Sequence, residues 1–453
     1  MLTFPSILGE AADGHRRAAA SPASCDAAPP RAQHDGAVAQ LSPARPSRLG
    51  GPEAWLIWVL ATTFVVWLFA IQTGYAVVSP DIQQTAHLTI AQVGLAASTY
   101  TWVFAIVQFF SGALLDRFGT RPLLAIAVAL VAAGAFLYAG ATSFATLAAA
   151  QVVLAVGASF GFVGAGYVGG TWFEPARYGL MFGLVQSFAS LGSAVGQPLI
   201  LAALAHLDWQ QLLVAFGAFG VLLVVLFVVF VRDPRLAGAP PRAPQRGVFG
   251  PILRELARCF ANPRVLLSAV LSAASFGTML AVGTLWGPRI MGARGEDATV
   301  ATTLTALAWL GLAVGAPLVN VVSDRWGSRR WPAVISLLLQ GAAIAGVIYL
   351  PAETTGAAAV LMFAMGLFSG AQMLGFTVAG ESVDPALIGS ASAIVNGACF
   401  LLSGVLTSVP GAFLPPDPVL ADFRTVLWIM PLVLVVGAVA ALGLRDRRLA
   451  TAP

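Results

Sequence analysis

The sequence predicts an all-α membrane protein: twelve transmembrane helices in two pseudo-symmetric six-helix bundles. Three observations predict it. Of the 453 residues, 58% are hydrophobic and only 10% charged, with a mean hydropathy of +0.84, whereas soluble domains carry about 25% charge. Apolar runs of about 20 residues, long enough to cross a bilayer as helices, recur along the chain; a β-barrel needs short alternating segments instead. Finally, Ser111–Pro122, SGALLDRFGTRP, returns as Asn320–Pro332, NVVSDRWGSRRWP. Asp116 falls on Asp324, Arg117 on Arg325, Gly119 on Gly327 and Arg121 on Arg329, all at an offset of 208. A charged turn between two spans, repeated half a chain apart, means two related halves.

The elements follow in order. Residues 1–52 are rich in Ala, Pro, Ser and Arg without an apolar run and read as a disordered cytoplasmic tail. The tail lacks the apolar core of a secretory signal, and Glu10, Asp13, Asp26 and Asp35 argue against an organellar presequence. An N-terminal bundle (53–231) holds spans 1–6 at 54–78, 91–115, 122–141, 144–168, 179–204 and 211–231. A cytoplasmic linker (232–264) rich in Pro and Arg follows, in which GPILRELARCF predicts a short surface helix. A C-terminal bundle (265–444) holds spans 7–12 at 265–288, 300–322, 332–350, 357–379, 387–410 and 424–444, and 445–453 form a second cytoplasmic tail.

The net charge of +4 comes from arginine alone, because the chain has no lysine. With the N-terminus inside, 21 of the 24 arginines fall on the inner side and only Arg289, Arg294 and Arg424 on the outer. The positive-inside rule therefore places both termini of a multi-pass membrane protein in the cytoplasm, and the basic charge reads as topology, not nucleic-acid binding. Cys25, Cys259 and Cys399 are too scattered for a disulfide framework or a metal site, and no cofactor is expected. The expected partners are the lipid bilayer and a small-molecule solute, and the expected unit is a monomer.

A second echo pairs Glu174-Pro175-Ala176 with Asp384-Pro385-Ala386 at an offset of 210, each just before a span. An acid and a proline suit a helix N-terminus, where proline costs no hydrogen bond and a carboxylate meets the positive dipole end. In span 5, Gln186, Ser190, Ser193 and Gln197 are spaced to share one helix face. Span 11 repeats the stripe with Asn396, Ser403 and Thr407, although Phe400 stands opposite Ser190. Amides in a bilayer need partners or water, so the stripes either pair with neighbouring helices or line a central aqueous cavity. Further cavity candidates are Gln72 and Tyr75 in span 1, Tyr100, Phe104 and Gln108 in span 2, Gln151 in span 4, Trp286 in span 7 and Gln372 in span 10. Taken singly, each is more often a packed or interfacial side chain. As a set, they describe a pocket of amides, hydroxyls and rings, better suited to a small polar or zwitterionic solute than to a lipophilic one.

The repeated turn resembles the loop signature of the major facilitator superfamily, G-x-L-x-D-R-x-G-R-R in loose form. The first copy keeps the leading glycine as Gly112, and the second has Asn320 there. The resemblance implies secondary transport by rocking of two bundles around a central site. It also implies that Asp116 faces the N-terminus of span 11 and Asp324 that of span 5, so that Gly112, Asp116, Arg117, Gly119 and Arg121, with Asp324, Arg325, Gly327 and Arg329, gate one side. The alternative is a solvated turn whose charges only enforce topology. Gly183, Gly192, Gly196 and Pro198 resemble the glycine-rich signature of the family's antiporters, with Gln197 inserted before the proline; close helix packing explains the same glycines.

Two departures shape the functional expectation. Gln151 stands where the resemblance places an arginine linked to proton coupling or anion binding, and Ala155 replaces the glycine that follows it. The first half has no mid-membrane acid, and in the second only Glu381 comes near, at the end of span 10. The expectation is therefore a facilitator or exchanger of a small polar or anionic metabolite. The alternatives are a proton symporter using Glu381, or a solute receptor that does not transport. A membrane enzyme would need a cluster of His, acids or Cys, and His15, His34, His87 and His206 are scattered.

Overall fold

The computed structural model describes residues 49–233, 249–349, 351, 354–415 and 418–444. The predicted tails, apart from residues 49–52, and residues 234–248 of the predicted linker lie outside the described residues. Twelve helices among the described residues are long and apolar enough to cross a membrane, at positions that match the twelve predicted spans. Span 1 outlasts its apolar run and continues as helix to Thr85, whose hydroxyl donates to the Asp81 carbonyl. At the ends away from the charged turns, Thr89 and Gln92 form a reciprocal cap on span 2, and Ser143 and Thr146 do the same on span 4. Asp297 takes the amides of Thr299 and Val300 at the start of span 8. Such caps satisfy backbone donors that a helix leaves unpaired.

The repeat seen in the sequence extends to irregularities of the backbone. Spans 5 and 11 are each entered through a three-residue 3-10 turn, Pro175–Arg177 and Pro385–Leu387, so the two Pro-Ala echoes fold alike. Spans 4 and 10 are each interrupted, at Ser159–Phe160 and at Gly370–Ala371. In span 7, two π-helical stretches, Ala273–Gly277 and Val282–Trp286, widen the helix. Neighbours take the polar groups there: Ser275 donates to Gln340 Oε1 (2.8 Å) and Trp309 Nε1 to the Gly283 carbonyl (3.2 Å). π-bulges of this kind are frequent at functional sites.

Contacts between the halves run along two helix pairs, span 2 with span 11 and span 5 with span 8. The predicted surface helix forms at Phe249–Phe260. It turns Ile252, Leu256 and Cys259 inward and leaves Leu253, Arg254 and Arg258 exposed, the one-sided pattern of an amphipathic helix. Its buried side rests on spans 2 and 11.

Candidate gate and solute site

The two charged turns are built on glycines that an L-residue replaces only with strain. Gly119 has φ 82° and Gly327 φ 63°, both in the left-handed half of backbone space. After Gly119, span 3 begins with Thr120, whose amide and hydroxyl both donate to Asp233 Oδ1, at 2.7 and 2.8 Å. Arg121 donates to the Val228 carbonyl, tying the turn to span 6 of its own half. Arg117 lies 5.8 Å from the Phe118 ring, and Arg325 is exposed.

Asp116 reaches the N-terminus of span 11. Oδ1 accepts from Gly389 N (3.1 Å), and Oδ2 accepts from Ser390 N (2.9 Å) and Ser390 Oγ (3.0 Å). A carboxylate there satisfies orphan amides and meets the positive end of the helix dipole. Asp324 differs from the reciprocal expectation. Its carboxylate pairs with Arg329 at 2.5 Å, within its own half, and its side chain stays 55% exposed. Arg329 also binds Glu381 at 2.8 Å. Burial works against the Arg329 charge, but the Glu381 and Asp324 carboxylates outweigh it and hold the proton more firmly than usual. The residue facing span 5 is Asn320, whose Nδ2 donates to the Gly179 carbonyl at 3.3 Å, while its Oδ1 accepts from Thr377 Oγ1 at 2.9 Å. The physical reason lies in the preceding turn of the helix. Where the first half has Gly112, whose missing side chain lets span 11 approach Asp116, the second half has an amide that fills the gap and makes the contact itself.

From these turns inward, two seams join the halves. Along span 2, contacts recur at every fourth residue. Asp116 meets Gly389 and Ser390; Gly112 lies so close that a Cβ would sit 1.9 Å from the Gly389 carbonyl oxygen. Gln108 Oε1 accepts from Asn396 Nδ2 at 2.9 Å, and the rings of Phe104 and Phe400 stand 4.0 Å apart. Span 5 repeats the arrangement against span 8: Gly179 with Asn320, Gly183 against the backbone of Ala316 and Pro317, and Ser187 donating to the Ala313 carbonyl. Between the seams, Tyr178 and Ser392 share a hydrogen bond of 3.1 Å. Phe162, Phe182 and Phe376, from spans 4, 5 and 10, pack as one ring cluster with centroids 4.8–5.5 Å apart. The end of the bundle that carries the charged turns is therefore closed across both halves by carboxylate, amide, glycine and ring contacts. The linker helix adds Cys259, buried near Asp116 and Glu255; burial first, then those two charges, push its thiol up to about 11.

The predicted solute residues separate by depth. Measured inward from the charged turns at 1.5 Å per residue, Gln108, Gln186, Asn396 and Gln372 lie about 12–14 Å in, and Tyr100, Ser193 and Ser403 about 22–24 Å. Gln72, Tyr75, Gln151, Gln197 and Trp286 lie about 28–35 Å in, toward the opposite end. That deeper group is largely engaged in packing. Tyr75 OH donates to the Val93 carbonyl (2.7 Å), Gln197 Nε2 to the Thr73 carbonyl (3.3 Å) and Trp286 Nε1 to the Leu406 carbonyl (2.9 Å). Gln151 is buried. In the span 5 stripe, Gln186 Nε2 donates to Ser190 Oγ (3.0 Å) and Ser193 Oγ to the Ala189 carbonyl (3.2 Å), all on one buried face. Asn396, its counterpart in span 11, is held by Gln108 across the seam. Ser403 is buried beside Gly277, where a Cβ would lie 3.2 Å from the Ser403 amide nitrogen.

Several buried polar atoms have no hydrogen-bond partner, among them Tyr100 OH, Thr278 Oγ1, Gln372 Nε2 and Gln72 Oε1. Thr278 was not among the sequence candidates, nor were Asn320, Ser187, Ser392 and the three-ring cluster. The signal for the seam residues was present in the repeat, because Gly179, Gly183 and Ser187 fall on Gly389, Ala393 and Gly397 at an offset of 210. Of the span 5 signature glycines, Gly183 meets span 8 and Gly192 lies against Val66 of span 1, whereas a Cβ on Gly196 meets nothing within 4 Å.

Comparison with known proteins agrees with this architecture. A family model described as Major Facilitator Superfamily matches residues 59–408 and again 290–453. The chain is 23% identical over 382 residues to the uncharacterized transporter YybO of Bacillus subtilis, covering 79% of this chain and 86% of that protein. It is 26% identical over 262 residues to the probable sulfoacetate transporter SauU of Cupriavidus necator, covering 56% and 61%. With a hexuronate transporter of Bacillus subtilis, it shares 21% over 307 residues, 66% of this chain and 72% of that one. Twelve spans in two repeated halves, seams between them and a match along most of its length lead to one conclusion: this chain is a member of the major facilitator superfamily of membrane transporters.

Proposed function

We propose that the protein moves a small polar or anionic metabolite across the bacterial inner membrane by alternating access, as a facilitator or exchanger. One observation carries this reading: the two seams are related by the same repeat that relates the halves, so rocking the halves opens one end as a unit. The arginine distribution supports a cytoplasmic charged-turn end, and on that orientation the conformation with both seams joined is the one closed to the cytoplasm. Relatives named for sulfoacetate, hexuronate and D-galactonate transport point to small, highly hydrophilic solutes, which in those proteins are anions. Glu381 is engaged by Arg329 at the end of span 10, which favours a structural role for it over proton coupling.

Ser392, buried and bonded across the halves to Tyr178, supplies the test. In a chain with its native cysteines replaced, Ser392→Cys should be modified slowly but completely by a water-soluble maleimide. Modification should be far slower than at an exposed control site such as Glu174→Cys, because each event waits for the seam to part. A thiol that stays unmodified while the control reacts fully means that this end never opens, and the alternating-access reading fails.

A further inference from the structure

We infer that the solute this carrier moves is uncharged and hydroxyl-rich, an inference that deepens the transport reading above and rests on it. The first observation is one of charge. Every Asp, Glu, Arg and His in the twelve spans lies within five residues of a span end, and the chain has no lysine. Spans 4, 6 and 11, as bounded in the structure, hold none at all. The arginines deepest in the spans, Arg289 and Arg424, each lie only four residues from a span end, and Arg424 donates to the Ile348 and Tyr349 carbonyls. Arg294 donates to the Val347 and Pro351 carbonyls and to Thr354, and Arg289 is exposed, 5.9 Å from the Trp286 ring. A carboxylate or sulfonate held between the halves would shed water without meeting a counter-charge, a penalty on the order of a hundredfold or more in affinity.

The second observation is what the interior offers instead. Tyr100 OH and Thr278 Oγ1 lie at similar depth, one from each half, and Gln372 Nε2 lies about two turns nearer the charged turns. All three are at least nine-tenths buried and unpartnered. Two hydroxyls and an amide donor ask for a partner that both gives and takes hydrogen bonds, which is the behaviour of a hydroxyl group. Tyr100 stacks on Phe104, Phe104 packs at a tilt against Phe400, and Phe400 meets Phe276 edge-on, so a row of rings from spans 2, 11 and 7 leads away from Tyr100. Rings beside hydroxyl and amide groups suit a polyol or sugar, whose C–H faces are apolar and whose rim is polar. Transport of such a solute by a carrier without a mid-membrane charge moves no net charge.

The test uses the purified full chain with three matched pairs as probes: glucose and glucuronate, galactose and galacturonate, myo-inositol and gluconate. Thermal stabilisation reports binding, and uptake into liposomes under an imposed potassium diffusion potential of either sign reports charge movement. We expect at least one uncharged member to raise the midpoint and to enter at a rate independent of the potential, with its charged partner at least tenfold weaker. Tyr100→Phe and Gln372→Leu, folded by their ligand-free midpoints, should each weaken that binding about three- to tenfold. Preference for a charged member, uptake that follows the sign of the potential, or no binding by any probe each overturns the inference. None of these touches the transport reading, which stands or falls on the labelling of Ser392→Cys.

Discussion

At the scale of single residues, one carboxylate and one amide do corresponding jobs by different chemistry. Asp116 takes three hydrogen bonds from the start of span 11, while at the equivalent place Asn320 holds the Gly179 carbonyl and Asp324 turns to Arg329. Removing a carboxylate from a helix N-terminus costs about 0.3–2 kcal/mol, whereas a pair as exposed as Asp324–Arg329 is worth about 0–1 kcal/mol. Asp116→Asn should therefore speed the maleimide reaction at Ser392→Cys severalfold, and Asp324→Asn should change it less than twofold. Equal effects would restore the reciprocal latch that the sequence motif implied. The sequence located both aspartates and the partner of the first. It could not locate the partner of the second, because that choice turns on whether a side chain at 320 fills the space a glycine leaves open at 112.

At the scale of helices, the seams depend on what glycine omits. A Cβ on Gly112 would lie 1.9 Å from the Gly389 carbonyl oxygen, a backbone atom that cannot swing aside. Overpacking of this kind costs about 1–3 kcal/mol. Gly112→Ala should thus raise the reactivity of Ser392→Cys about tenfold and lower the thermal midpoint. Gly196→Ala, with nothing within 4 Å of its new carbon, should do neither. Unchanged labelling in Gly112→Ala would mean that the seam is looser than its geometry. Helix number, order and approximate ends were legible from apolar run length alone. The interruptions of spans 4 and 10 and the π-helical stretches of span 7 were not. They arise where a neighbouring helix claims a backbone group or approaches it closely, as Trp309 does at Gly283, and one strand of sequence does not display its neighbours.

At the scale of the whole molecule, orientation is the property on which every assignment of sides depends. Single cysteines at Gly238 and Gly356 should label from opposite faces of the membrane, the first only from the cytoplasm and the second only from outside. Cys25 must be replaced beforehand. Cys259 and Cys399 are buried, and a Cys259 thiol pushed up to about 11 is almost wholly protonated at pH 7, so both label slowly. Reversed labelling would place the charged turns outside. The candidate solute residues show the limit of reading depth from type. A glutamine in a span signals a polar need whether it sits at 108 or at 151, and only the helix directions reveal that these two lie far apart. Those directions alternate with each span, so the depths were recoverable by counting along the helices; the engagement of Gln108 with Asn396 was not.

Under the proposed alternating access, the unequal chemistry of the two seams gives the opening motion a leading edge. Parting spans 2 and 11 means taking a carboxylate from three donors, at about 1.5–3 kcal/mol for each hydrogen bond to a charged group, whereas spans 5 and 8 are joined by neutral contacts worth about 0.5–1.5 kcal/mol each. The mouth at the charged-turn end then widens as a wedge, not as an iris, with spans 2 and 11 serving as its hinge line under the weight of the linker helix. On that reading, a solute leaving by that end would depart along spans 5 and 8, past Ser187 and Asn320.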